Sequence, residues 1–161
     1  MRPWLPIALA AAALAAQPAA AFDLTGTWQG KQTCRGLSAG EKTAFSFPST
    51  LRITQTGSEL ALEVVGDAGT DVYNGMGIEN ALKPAVGEAY FVHCGMSDVP
   101  ATGEDSFDES GRAVVRTKEE TGRGTFTGTS SFYNDFPEVF TCKWSYKRTD
   151  TADPGVAGCG G

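Results

Sequence analysis

Near its two ends the chain carries one interval in mirror order: Trp28 stands six residues before Cys34, and Cys142 stands six residues before Arg148. If the first and last strands pair antiparallel with Cys34 opposite Cys142, Trp28 falls opposite Arg148 in the same register, because side chains of such a pair alternate in step. A sheet whose first and last strands pair is a closed barrel, so this spacing constrains the fold more than any other feature.

The segments between those ends have strand chemistry: short runs of β-branched and aromatic residues broken by Gly, Asn, Asp and Pro, with no long stretch of helical period. In Leu24 to Cys34 the residues Leu24, Gly26, Trp28, Gly30 and Cys34 share one face, and polar residues occupy the other. Ala44 to Gln55 and Glu59 to Val65 flank Thr56-Gly57-Ser58 as a hairpin, with Phe45, Phe47, Leu51 and Ile53 facing Leu60, Leu62 and Val64. Pro48 marks an expected bend or bulge. Further runs are expected at Asp71 to Ile78, Glu88 to Cys94, Ala113 to Lys118, Gly124 to Tyr133 and Glu138 to Arg148, with a loop over Asp98 to Gly111. Eight short runs predict an all-β chain folded as one antiparallel up-and-down eight-stranded barrel, with a two-sheet β-sandwich as the alternative.

The first residues carry an export signal. Met1-Arg2, an apolar run from Leu5 to Ala16 and the small-residue site Ala19-Ala20-Ala21 predict a signal peptide over residues 1–21, cleaved before Phe22. The apolar run is shorter than the ~20 residues a spanning helix needs, so no transmembrane anchor is expected after processing. The barrel domain is expected over 22–148, followed by an irregular tail over 149–161. An Ala-rich signal of this brevity points to a bacterial protein, periplasmic or secreted. Cys34, Cys94, Cys142 and Cys159 are an even set, which in an exported protein favours two disulfides among three conceivable connectivities. Without Arg2 the chain has 12 Lys and Arg against 19 Asp and Glu, a balance of −7. No basic face is visible in the linear order, so a nucleic-acid partner is not expected.

Leu24-Thr25-Gly26-Thr27-Trp28 at the head of the first strand resembles the G-x-W signature of the calycin superfamily, which includes lipocalins, fatty-acid-binding proteins and avidins. The resemblance implies that Trp28 plugs one barrel end and packs under Arg148 of the last strand. It also implies a bond from the tail back to the barrel wall, here Cys94 with Cys159. The mature chain departs from avidins in having only Trp28 and Trp144, and the middle motifs of lipocalins are missing.

Local motifs for chemistry are weaker. Gly36-Leu37-Ser38-Ala39-Gly40 matches G-x-S-x-G, but a nucleophile elbow needs a following helix, and here another strand follows. Gly40-Glu41-Lys42-Thr43 breaks the phosphate-loop pattern at Glu41. His93-Cys94-Gly95-Met96, with Met76, gathers soft metal donors, yet His93 and Cys94 are strand neighbours and face opposite ways. The acids from Asp98 to Glu109 lack calcium-loop spacing and are expected as solvated loop residues. No catalytic, metal or cofactor residues are therefore assigned. The expected function is binding of a small apolar or amphipathic ligand inside the barrel, lined by Phe45, Phe47, Leu51, Leu62, Phe91, His93, Phe126, Phe140 and Tyr146. Trp28, Arg148 and the Cys34–Cys142 pair are structural in this reading. The alternatives are a protein-interaction or inhibitor module using loops at the open end, and last an enzyme with an unrecognised barrel site.

Overall fold

The computed structural model describes residues 22–67, 69–97, 107–134 and 138–159; the expected signal peptide over residues 1–21 and residues 98–106 of the expected Asp98 to Gly111 loop lie outside them. Eight strands run in chain order: β1 (Gly26–Ser38), β2 (Glu41–Thr56), β3 (Glu59–Gly66), β4 (Gly69–Glu79), β5 (Val86–Ser97), β6 (Phe107–Lys118), β7 (Arg123–Asn134) and β8 (Glu138–Asp150). Each pairs antiparallel with the next, and β8 returns to β1, so the sheet is a closed up-and-down barrel. Among the described residues no helix is long and apolar enough to cross a membrane.

The β1–β8 seam has Cys34 opposite Cys142 and Trp28 opposite Arg148. Cys34 is bonded to Cys142 with Cα atoms 4.0 Å apart, the close approach of a non-hydrogen-bonded antiparallel pair. A second disulfide joins Cys94 to Cys159 and holds the tail on the wall. Two disulfides fit an oxidising compartment.

One barrel end is plugged. The Trp28 indole N–H donates to the Leu24 carbonyl at 3.1 Å, and the Arg148 guanidinium lies 4.6 Å from the centre of the Trp28 ring while donating to the Asp23 carbonyl. Phe22 and Leu24 are buried beneath, because Gln55 accepts from the Leu24 amide and donates to the Phe22 carbonyl. Trp28 also lies against Gly124, where a Cβ would come within 2.8 Å of the indole. Above the plug the interior is filled by aromatic rings in mutual contact: Phe91 on Trp144 at 4.5 Å, Tyr73 edge-on to both, and Phe126 between Trp28 and Tyr146.

The structure departs from the sequence expectation at β6, at the β1–β2 turn and at Pro48, and most strands run a few residues longer than expected. β6 starts at Phe107, well before Ala113, so residues 107–111 of the expected Asp98 to Gly111 loop are strand. Ala39 and Gly40, at φ 49° and 83°, make a two-residue hairpin turn, so β1 runs on past Cys34 to Ser38 and β2 begins at Glu41, ahead of Ala44. The β1–β2 register runs unbroken through Pro48, so the expected bulge is not there. Pro48 instead lies in the half of β2 that pairs with β1 alone, since pairing with β3 begins only at Thr50. A missing amide donor is least costly on such an edge.

Candidate functional site

The short β3 leaves the first half of β2 standing above the β3–β4 hairpin at the unplugged end. That step opens a cup of about 350 Å³ lined by Phe45, Phe47, Val64, Gly66, Asp67, Gly69 and Asp71. Phe45 and Phe47 stack at 6.1 Å, and Phe45 is 43% exposed although it points to the barrel interior side of β2. The cup therefore has an aromatic wall facing two carboxylates.

From the cup a chain of polar contacts leads inward. Asp71 lies 3.7 Å from His93 Nε2, and the His93 ring stands edge-on to Tyr73 with centroids 5.2 Å apart. The Tyr73 hydroxyl donates to Glu109 at 2.7 Å. Ser130 donates to the other Glu109 oxygen, and Ser130 accepts from the Trp144 indole N–H at 2.8 Å. Glu109 is only 6% exposed. Burial pushes its carboxyl above the usual carboxylate range, and the two hydroxyl donors oppose that shift without cancelling it. Burial, and then the Glu109 charge, push Tyr73 well above an ordinary phenol, so Tyr73 remains the donor of the pair.

Strand geometry explains how these residues meet. The register of β4 on β5 slips between Val72 and Tyr73, so that Val72 faces Gly95 and Tyr73 faces His93. The extra residue is Cys94. His93 keeps the inward alternation of Ala89 and Phe91 and so meets Tyr73, while Cys94 points out to the tail. Glu109 shares the inward parity of Gly111, Ala113 and Val115 on β6, and Ser130 that of Phe126 and Gly128 on β7.

The residues expected to line a ligand space divide into two groups. Leu51, Leu62, Phe91, Phe126, Phe140 and Tyr146 are buried in the packed core, whereas Phe45 and Phe47 form the cup wall, with His93 between the two regions. Tyr146 is held by Ser49 at 2.7 Å. Glu109 corrects the expectation of solvated loop acids: its strand carries it inward. Sequence reasoning also passed over Asp71, Tyr73 and Ser130. Period-two reading back from Val115 reaches Glu109, and that signal was masked by Gly111 and the acid-rich residues before it. The G-x-S-x-G residues end β1 and turn directly into β2, with no helix to form an elbow. Among the described residues, no three His, Cys, Asp or Glu side chains converge as a metal site.

No model of a known protein family matches this sequence, and no curated protein is similar enough to lend it a function.

Proposed function

We propose that this chain is an exported, calycin-like binding protein that holds a small amphipathic molecule in the cup at the open end of its barrel, with a cationic group of the ligand set against Asp71 and Asp67. The observation that carries this reading is the half-exposed Phe45–Phe47 stack facing those two carboxylates across about 350 Å³. Aromatic faces attract a cation by ~0.5 to 2 kcal/mol, and a carboxylate nearby adds a charge-assisted hydrogen bond. The likeness to calycins is supported by the strand order and by Trp28 packed under Arg148. Export is supported by the signal-like first residues and the two disulfides.

Calorimetric titration with phenethylammonium and with its uncharged counterpart 2-phenylethanol tests the reading. The ammonium should bind more tightly, Asp71→Asn should erase that preference, and Phe45→Ala should weaken both. Equal affinity for the two compounds, or binding by neither, would overturn it.

A second reading has its own observation. On the outer rim Tyr133, Val139 and Leu37 stand opposite one another across β7, β8 and β1, each more than 40% exposed. Such an apolar row suits a protein partner engaging the open end. A pull-down lost in Tyr133→Ser with Val139→Ser, but kept in Phe45→Ala, would favour it.

A further inference from the structure

The chain is acidic overall, yet its cations are not scattered. Nine of the 13 Lys and Arg lie on four consecutive strands of the closed sheet: two in β1, three in β6, one in β7 and three in β8. Residues 24–40, 110–118, 121–134 and 139–149 contain no Asp or Glu. Hairpin pairing sets β6, β7 and β8 side by side and ring closure adds β1, an arrangement that the linear order does not display.

The cross-strand register arranges this wall as a track. The outward positions of β7 are Thr125, Thr127, Thr129 and Ser131, a hydroxyl ladder roughly 20 Å long at strand rise. Thr125 is flanked by Arg116 and Lys147, and Thr129 by Arg112 and Lys143. Toward the plugged end the track widens into a groove of about 630 Å³, where Lys118 stands directly opposite Arg123. Directly opposed like charges destabilise a sheet. Folding therefore gains nothing from this arrangement, and an anion laid across it would. Among the described residues the ion pair seen on this wall is Arg112 with Glu88, and the buried Arg148 Nε at the groove has no hydrogen-bond partner there.

We propose that the β6–β7–β8 wall binds an acidic polysaccharide along the β7 hydroxyl ladder, with sulfate or phosphate groups paired to the flanking cations and the densest charge in the groove near Arg123. Alternating cations and hydroxyls match a chain that presents both anionic groups and sugar hydroxyls. The ladder and its flanks carry no outward aromatic between Arg112 and Lys118, Arg123 and Ser131, or Thr141 and Thr149. Outward rings stand at the borders, Tyr90 opposite Arg112 and Tyr133 past Ser131, so single-stranded nucleic acid finds no run of rings along the ladder on which to stack successive bases. This site lies on the outer wall and owes nothing to the cup, so either proposal stands or falls without the other.

Fluorescence anisotropy with labelled dextran sulfate tests it, beside neutral dextran, a short DNA duplex and anionic phospholipid vesicles, using the oxidised protein. Dextran sulfate should bind, neutral dextran should not, and affinity should fall steeply as salt rises. Arg116→Glu with Lys147→Glu should weaken binding at least about ten-fold, as should Arg116→Gln with Lys147→Gln if the reversal impairs folding. Lys42→Glu, near the start of β2 at the far end, should change it less than about two-fold. Thr127→Val should weaken dextran sulfate and leave any duplex binding as it was. Dextran sulfate affinity untouched by the wall variants, or duplex or vesicles bound more tightly than dextran sulfate, would overturn the proposal.

Discussion

Glu109 is an inward residue of β6 whose carboxyl is capped by the Tyr73 and Ser130 hydroxyls. Because burial raises its carboxyl above the unfolded value, the native state keeps a proton through a pH window in which the unfolded chain has released it. The stability this group supplies is therefore full below the unfolded carboxylate value of about 4.3 and declines as pH rises toward the raised native value. Glu109→Gln stays neutral and still accepts from Tyr73, so its stability relative to the parent should grow between about pH 4 and about pH 7.5. Denaturant titrations at both pH values measure that growth, at about 1.4 kcal/mol for each unit of upward displacement. Glu109→Ala should instead destabilise at either pH, by about 1 to 3 kcal/mol for each hydroxyl left without its acceptor. Arg148 is the counterpart at the plugged end, where its guanidinium covers Trp28 and donates to the Asp23 carbonyl. Arg148→Leu should lose about 1 to 3 kcal/mol, read as a lowered thermal midpoint, since both a cation–π contact and a carbonyl bond disappear.

At the scale of elements, alternation made most strands legible, and the first half of β6 was the exception. β1, β2, β3 and β8 announce their inner faces through Trp28, Leu51, Leu62 and Trp144, whereas Gly111 and the acids before it concealed the first half of β6. The bulge opposite Val72 was invisible, because nothing in His93-Cys94-Gly95 says which strand will slip. The two cysteine pairs have separate roles. Cys94–Cys159 fixes a tail that is otherwise held by Arg52 on the Pro154 carbonyl, Thr54 on Asp153 and the Val156 amide on Thr54. Replacing that pair by Ala should raise amide exchange in Ala152 to Cys159 and leave the barrel strands protected, since a peripheral segment opens without the rest. Cys34–Cys142 spans 108 residues and joins the strands that close the sheet. Its removal should cost roughly 4 to 5 kcal/mol by the loop-entropy relation, measured as a fall in denaturant midpoint for Cys34→Ala with Cys142→Ala.

For the whole molecule the decisive step is closure. Seven of the eight strand pairings join neighbours in sequence, and each needs only a short loop; the β8–β1 pairing joins segments more than 100 residues apart. That is why the mirrored interval at the chain ends was so informative: it concerned the one pairing that local sequence cannot specify. The basic wall escaped notice for another reason: its cations come from three strands whose outward positions meet only through the β6–β7 and β7–β8 registers. The same topology makes a kinetic prediction. Bringing β1 to β8 loses chain entropy before their contacts return any free energy, and long-range pairing of this kind slows folding. In the oxidised chain that entropy is already absent from the unfolded state. If the seam forms in the transition state, the oxidised protein should refold from denaturant at least ten-fold faster than the reduced protein, with unfolding rates nearly alike. If the seam zips afterwards, refolding rates should match and reduction should instead speed unfolding. The first pattern is expected, because Trp28 on β1 reaches Phe126 on β7 as well as Arg148 on β8, and no smaller set of strands buries it. Stopped-flow tryptophan fluorescence follows this core directly, since Trp28 and Trp144 both lie inside it with no exposed surface.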